Sequence, residues 1–371
     1  MSPTRRRRVL FAIVASLLGL LFGLLLLEVS VRIFLVRRAG FIDQLHEHVS
    51  REWGGDLTLW DIIRPAADVQ RVYEMIAGAN GRFVGQPLVI NRDGFRDGQR
   101  AKAKPGGITR VAVLGDSIAF GWGVRQEERF SDQLELMGST SSSRVEVLNF
   151  AVPGYNTVME LATLREKVLG YEPDVLLLSL VDNDDEVPNF VRIRPQAWSP
   201  GRCFILETIR DQMIGRKLGD TARLALGGIA EAGGIGHGRD VIGFRPELVP
   251  AEYRFLVGEE PMVQALKDLV REATSHGIIP LCVLHRMYSK PSVESAGVVR
   301  SERLMQFATE AGFKWVDPAP ALLQYLFKNR RDEKSLWINK DDLHPNAVGH
   351  KIIAEQLLPA VRAALEESSK K

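Results

Sequence analysis

From residue 110 onward the chain alternates short apolar runs with longer amphipathic ones. The runs at 110–114, 145–149, 174–180, 278–284 and 314–316 read as strands, because they are short and rich in Val, Ile and Leu. Between them, residues 127–137, 157–169, 265–276 and 302–311 carry the spacing of helices with one apolar face, and a last helix runs from about 346 to 367. Strands that are apolar on both faces and separated by helices predict a mostly parallel sheet covered on both sides, a three-layer α/β/α sandwich. Such sheets bind ligands beyond the carboxyl ends of their strands. Ser117, Gly154 and Asn183 each fall just past the end of a predicted strand.

Two stretches break this alternation. Residues 39–108 are punctuated by Gly54-Gly55, Arg64-Pro65, Gly78 and Gly81. They predict a connecting region with one short strand before the Asp93-Gly94 turn. Residues 186–262 hold Pro188, Pro195, Pro200 and a Gly-rich run at 227–238. A loop of that length without structure is rare in a compact domain. The stretch therefore reads as an insertion, helical in part near 204–218, which either overhangs the site or runs over the surface.

The amino terminus has a different pattern. Residues 9–27 are nineteen uncharged positions dominated by leucine, about what a helix needs to cross a hydrocarbon core of ~30 Å. Arg5 to Arg8 precede them, and the positive-inside tendency holds that end in the cytoplasm. The segment continues as Leu27-Glu-Val-Ser-Val-Arg-Ile-Phe34 without a small-x-small cleavage site, which argues against a removed signal peptide. A single-pass anchor in the cytoplasmic (inner) membrane is expected, with the rest of the chain extracytoplasmic, or periplasmic.

Composition narrows the picture only a little. In 371 residues, 48 Lys and Arg nearly balance 46 Asp and Glu, so nothing argues for a nucleic-acid partner. The two cysteines, Cys203 and Cys282, are too few for a disulfide framework or a zinc site, although they are enough for one pair.

The chemistry lies at the strand ends. Ser117 closes Gly115-Asp116-Ser117 after an apolar run, without the second glycine of a nucleophile elbow, since Ala119 stands there. A serine so placed is either a nucleophile or a helix cap. Pro153-Gly154 is either a routine turn or a place where a backbone N–H approaches a substrate oxygen. Asn183, within Val181-Asp-Asn-Asp-Asp-Glu186, can offer its amide to a developing oxyanion. Asp341 and His344 stand three residues apart before a helix, so the carboxylate can take the Nδ1 proton and leave Nε2 for the serine. Asp342, His350 and the pair His46/His48 are rivals for these roles.

In order and placement, these blocks resemble the SGNH (GDSL-type) hydrolases over about residues 110–365. The resemblance implies a flavodoxin-like sheet and a Ser117–His344–Asp341 triad. The oxyanion hole would be formed by the N–H groups of Ser117 and Gly154 and the amide of Asn183. One departure is visible: the family's glycine two positions before the asparagine is Val181. Three regions are expected: the Arg cluster and anchor at 1–38, the connector at 39–108, and a catalytic domain at 109–371 carrying the 186–262 insertion. The expected activity is that of a serine esterase or deacylase without metal or organic cofactor, acting on O-acyl esters of envelope or secreted polysaccharide. Its expected partners are that substrate, the membrane and proteins of envelope assembly. The competing readings are an O-acyltransferase for polysaccharide and a degenerate member that binds glycan.

Overall fold

A computed structural model describes residues 3–52, 56–57, 59–140, 144–185, 203, 205–206, 239–240, 243–244, 251–285, 296–339 and 342–370. The chain forms two compact units, Met1–Val49 with Val191–Pro250, and Ser50–Phe190 with Ala251–Lys371. The first unit contains most of helix α1 (Pro3–Glu52). Its stretch Arg5–Ile33 is long and apolar enough to cross a membrane, and its large apolar side chains, Phe11 and Leu18 among them, are exposed. Most of the insertion expected at 186–262, including the helix near 204–218, lies outside the described residues. From residue 251 onward the chain already belongs to the second unit.

The second unit is built on five parallel strands. These are β1 (Ile108–Gly115), β2 (Arg144–Asn149), β3 (Val175–Val181), β4 (Ile279–His285) and β5 (Lys314–Val316). Their order across the sheet is β2-β1-β3-β4-β5. Every residue of β3 and β4 is buried, as expected of central strands covered on both faces. The helices are α2 (Phe130–Gly138), α3 (Thr157–Thr163), α4 (Glu259–Ser275), α5 (Ala296–Ala311), α6 (Ala319–Asn329) and α7 (Ala347–Ser368). Parallel crossovers are right-handed, so the reversal of direction after β2 sends α2 to one face and α3, α4 and α5 to the other. The packing agrees: α2 lies on α7, α3 on α4, and α4 on α5. The reversal leaves the carboxyl ends of β1 and β3 side by side at the switch point, where a ligand site belongs.

Several helices depart from the expected pattern, and α5 begins six residues before the expected 302. The helix expected at 127–137 is interrupted at Arg129, whose backbone is extended and whose side chain is fully buried. There it ion-pairs with Asp132 at 2.7 Å. Helix α4 begins at Glu259, six residues before the apolar periodicity becomes visible at 265. Helix α6 was not anticipated, because it is short and opens on Ala-Pro.

The connector expected at 39–108 is largely part of this second unit. Ile62, Tyr73, Met75, Phe83, Leu88, Ile90 and Phe95 are buried in the same core as the strands. The hairpins Ile63–Pro65/Tyr73–Met75 and Asn80–Phe83/Gln86–Val89 carry Tyr73, Met75, Phe83 and Leu88. Strands of three or four residues are too brief for an alternating pattern to stand out in a sequence, and only Gln86–Val89 overlaps the short strand expected before the Asp93-Gly94 turn.

Two histidines are buried in the core. His285 Nε2 lies 2.9 Å from Ser179 Oγ, and His350 Nδ1 accepts the Phe130 N–H at 3.2 Å. Both rings pack on Phe130. Burial lowers each to a pKa of about 3, with the His285 charge adding to the effect at His350. A group whose folded pKa lies below its unfolded value (roughly 6.5 for histidine) contributes stability above that value, and the contribution is lost as pH falls toward the folded pKa. His350→Asn keeps an acceptor for the Phe130 N–H and removes the titration. Its unfolding free energy, from urea melts between pH 6.5 and 4, is expected to fall less steeply than that of the wild type, by about 1.4 kcal/mol per pH unit. Parallel slopes would refute this.

Candidate active site

The site is assembled from the ends of three neighbouring strands and one hairpin. Beyond β1, Asp116 caps a short helical turn, Ser117–Phe120, through Oδ1 accepting the Ile118 N–H at 3.0 Å. This cap holds Ser117 at the head of the turn with its side chain half-buried. His344 lies on Asp342–Pro345, an extended strand paired antiparallel with Trp337–Asn339. Asn346 fixes that hairpin to α7. Its Oδ1 accepts the N–H groups of Val348 and Gly349, while its Nδ2 donates to the carbonyls of Ser335 and Trp337.

Across 227 positions of sequence, His344 Nε2 stands 2.8 Å from Ser117 Oγ. The other ring nitrogen, Nδ1, is 2.6 Å from Asp342 Oδ1, which also accepts the His344 backbone N–H at 3.1 Å. The carboxylate found at Nδ1 is that of Asp342; the expected Asp341 lies outside the described residues. The reason is local geometry: in an extended strand residues i and i+2 share a face, so Asp342 and His344 point the same way. Burial pushes the Asp342 carboxyl up, but hydrogen bonds from His344 and Trp122 and the imidazole charge outweigh burial and hold it below the ordinary range. The Trp122 indole N–H donates to Asp342 Oδ2 at 3.0 Å, and its ring stacks on the imidazole with centroids 5.2 Å apart. Sequence reading missed Trp122, because no spacing relates it to a residue 220 positions away.

Gly154 and Asn183 follow β2 and β3. Among the described residues, no protein acceptor takes the Gly154 N–H or the Asn183 side-chain amide. The loop at Gly154 is braced on both sides. Tyr73 Oη donates to the Pro153 carbonyl at 2.7 Å, and Tyr155 Oη donates to the Tyr73 carbonyl. Asn156 then caps α3, accepting the Met159 N–H at 3.1 Å. The turn that carries Asn183 is closed by Asp184, whose Oδ2 accepts the Val181 N–H at 2.9 Å. Val181 itself is buried within β3, and its pairing with His285 leaves the asparagine beyond the sheet.

Three buried carboxyls, Asp116, Glu160 and Asp184, lie close enough to raise one another. Burial is the largest cause at each. At Asp116 it is opposed by hydrogen bonds from Ile118 and Ser117 and by the charge of His344. Glu160 and Asp184 are raised well above the carboxylate range, and both Glu160 oxygens lack a hydrogen-bond partner. Among the described residues, no group of three or more His, Cys, Asp or Glu side chains is arranged to hold a metal ion. The rival His350 is buried against Phe130, away from the serine, and His46 and His48 have no described side chains. Cys203 and Cys282 are both free thiols, one exposed and one buried.

An imidazole between a serine hydroxyl and a carboxylate can take the hydroxyl proton as oxygen attacks a carbonyl, and can return it to a leaving group. No curated protein matches the chain. Among solved structures it is similar to TesA (13% identity, covering 69% of this chain and 99% of that one, TM-score 0.41). It is also similar to the acetyl xylan esterase AlAXEase (16%, 68% and 99%, TM-score 0.42). A third is the psychrotrophic esterase EstA from Pseudoalteromonas sp. (14%, 70% and 99%, TM-score 0.39). With TM-scores near 0.4, these likenesses add nothing to the assignment of function. The family model for GDSL-like lipases and acylhydrolases matches residues 113–352, well over half of the chain and the whole span from Ser117 to His344. The chain therefore belongs to the GDSL-like lipase/acylhydrolase family, and its chemistry is that of a carboxylic ester hydrolase.

Proposed function

We propose that the protein is a membrane-anchored, extracytoplasmic serine esterase or deacylase that removes O-acyl groups through Ser117, His344 and Asp342. The observation that carries this reading is the approach of His344 Nε2 to Ser117 Oγ at 2.8 Å, with Nδ1 committed to Asp342. Ser117 Oγ bonds to the ester carbonyl carbon while its proton passes to Nε2. The carbonyl π electrons collect on oxygen, facing the N–H groups of Ser117 and Gly154 and the Asn183 amide. Collapse expels the alcohol, which takes the proton from Nε2, and leaves an acyl-serine. Water then attacks the acyl carbon, gives a proton to Nε2, and the returning proton restores the serine as the carboxylic acid leaves.

The His344 side chain is 28% exposed, within reach of solvent, which supports transfer of the acyl group to water over transfer to a sheltered sugar hydroxyl. Asn183→Ala is expected to lower kcat by about 10²–10³ with KM within a few-fold, measured on p-nitrophenyl acetate. An unchanged kcat would remove Asn183 from the oxyanion site.

The location rests on Arg5 to Arg8 before the apolar stretch of α1, which favours retention of the amino terminus in the cytoplasm. Outside that membrane, the esters at hand for an exposed site are O-acyl groups of envelope or secreted polysaccharide. The proposed partners are that polymer, the bilayer and proteins of envelope assembly. The test uses the full chain in detergent, with fluorophosphonate labelling and acetate release from O-acetylated polysaccharide as readouts. The absence of both labelling and turnover would sink the reading. Labelling with turnover of small esters alone would keep the enzyme and eliminate the polymer as substrate.

A further inference from the structure

We propose that Trp122 is a positioning residue for the His344–Asp342 pair, and that Phe83 and Arg96, which precede the family domain, hold it in place. The proposal rests on the catalytic reading of His344 given above.

Trp122 fixes the pair at two points. The Asp342 carboxylate spends Oδ1 on His344 and Oδ2 on the indole N–H, so it cannot turn about its own axis without losing a partner. The indole plane lies within 20° of the imidazole plane, which closes one face of the ring. An imidazole that passes a proton between two oxygens gains rate only while its direction is held. Here the same side chain steadies both the ring and the carboxylate.

The backbone around Trp122 is shaped for this placement. Gly121 and Gly123 on either side are both left-handed, with φ of +82° and +71°. A Cβ on Gly123 would also stand 2.9 Å from the side chain of Ile338, in the hairpin that carries His344. The tryptophan therefore projects from a tight Gly-Trp-Gly turn pressed against that hairpin.

That turn is held from outside the family domain, which begins at residue 113. The Arg96 guanidinium is buried and donates to the carbonyls of Gly121 (2.6 Å), Val124 (2.7 Å), Phe120 (3.2 Å) and Pro87 (3.3 Å). Three of these four carbonyls belong to the segment 120–124 that contains Trp122. A buried guanidinium needs such acceptors to offset its lost hydration, so the arginine and the turn stabilise each other. Phe83 meets Trp122 edge to face, with ring centroids 4.9 Å apart, and meets Phe120 in the same way at 5.9 Å. The segment before the family domain thus reaches the imidazole at one remove.

The test compares full-chain wild type, Trp122→Phe and Phe83→Leu in detergent on p-nitrophenyl acetate. W122F keeps a ring over the imidazole and loses the N–H. It is expected to lower kcat and the rate of fluorophosphonate labelling about tenfold, with KM within twofold. It should also displace the acid limb of the kcat/KM profile to higher pH, because Asp342, freed of the indole, becomes the stronger acceptor. F83L, which touches neither His344 nor Asp342, should lower kcat about threefold in the same direction, and it serves alone if W122F does not fold. A wild type that neither labels nor turns over would overturn the catalytic reading and this proposal together. A working wild type, with the variants matching it in kcat and acid limb, would overturn the proposal alone, whatever happens to their Tm.

Discussion

Ser117→Ala is expected to abolish ester turnover, lowering kcat on the order of 10⁶-fold, and to eliminate fluorophosphonate labelling. The magnitude follows from the role of the oxygen. Without Oγ there is no atom for the carbonyl carbon to join, and His344 is left without the proton it was placed to receive. Background hydrolysis supported by the oxyanion donors alone is what remains. Among the described residues, the Ser117 hydroxyl bonds to His344 and to Asp116 alone, the latter at 3.2 Å, so the Tm should stay within a few degrees. Retention of more than a few per cent of activity in this variant would show that another nucleophile does the work.

The second large effect is expected at Asp342→Asn, about 10⁴-fold in kcat. An amide in that position presents N–H as readily as oxygen to His344 Nδ1, so the ring is free to adopt the tautomer with its proton on Nε2. A ring in that state cannot accept from serine. Asp341→Asn should leave kcat within a few-fold, because Nδ1 has one proton and Asp342 already accepts it at 2.6 Å. Kinetics of the two variants side by side on p-nitrophenyl acetate decide which carboxylate belongs to the relay. The reverse ranking would return the role to Asp341.

These two aspartates show how far the sequence can be read. Ser117 and His344 were legible, Ser117 because it stands where an apolar run stops and His344 because it stands three residues after an aspartate and just before a helix. The sheet was legible for the same reason, with β1 to β5 within two residues of the runs that announce them. The carboxylate at His344 Nδ1 is harder to read, because a motif spacing says which residues are near His344 but leaves open whether the backbone there is a turn or a strand. The extended backbone at Asp342–Pro345 is set by its pairing with Trp337–Asn339, a tertiary fact.

Of the hairpins between residues 63 and 89, only the strand at Gln86–Val89 was announced, by the short run before the Asp93-Gly94 turn. Their buried positions, such as Tyr73, Met75, Phe83 and Leu88, each adjoin another apolar residue (Val72, Ile76, Val84 and Val89), so no alternation marks which side faces the core. Trp122 and Arg96 were equally silent. An indole bonded to a carboxylate 220 residues away, and a guanidinium bonded to carbonyls, leave no periodic trace.

The distance along the chain between Ser117 and His344 has a consequence for how the protein is made. A ribosome delivers the serine early and the imidazole only near the end, and the hairpin bearing that imidazole is tied down by Asn346 at the head of the final helix. Until α7 has been synthesised and docked, the nascent polypeptide holds an alcohol without a base to awaken it. Products terminated before α7 are then hydrolytically silent.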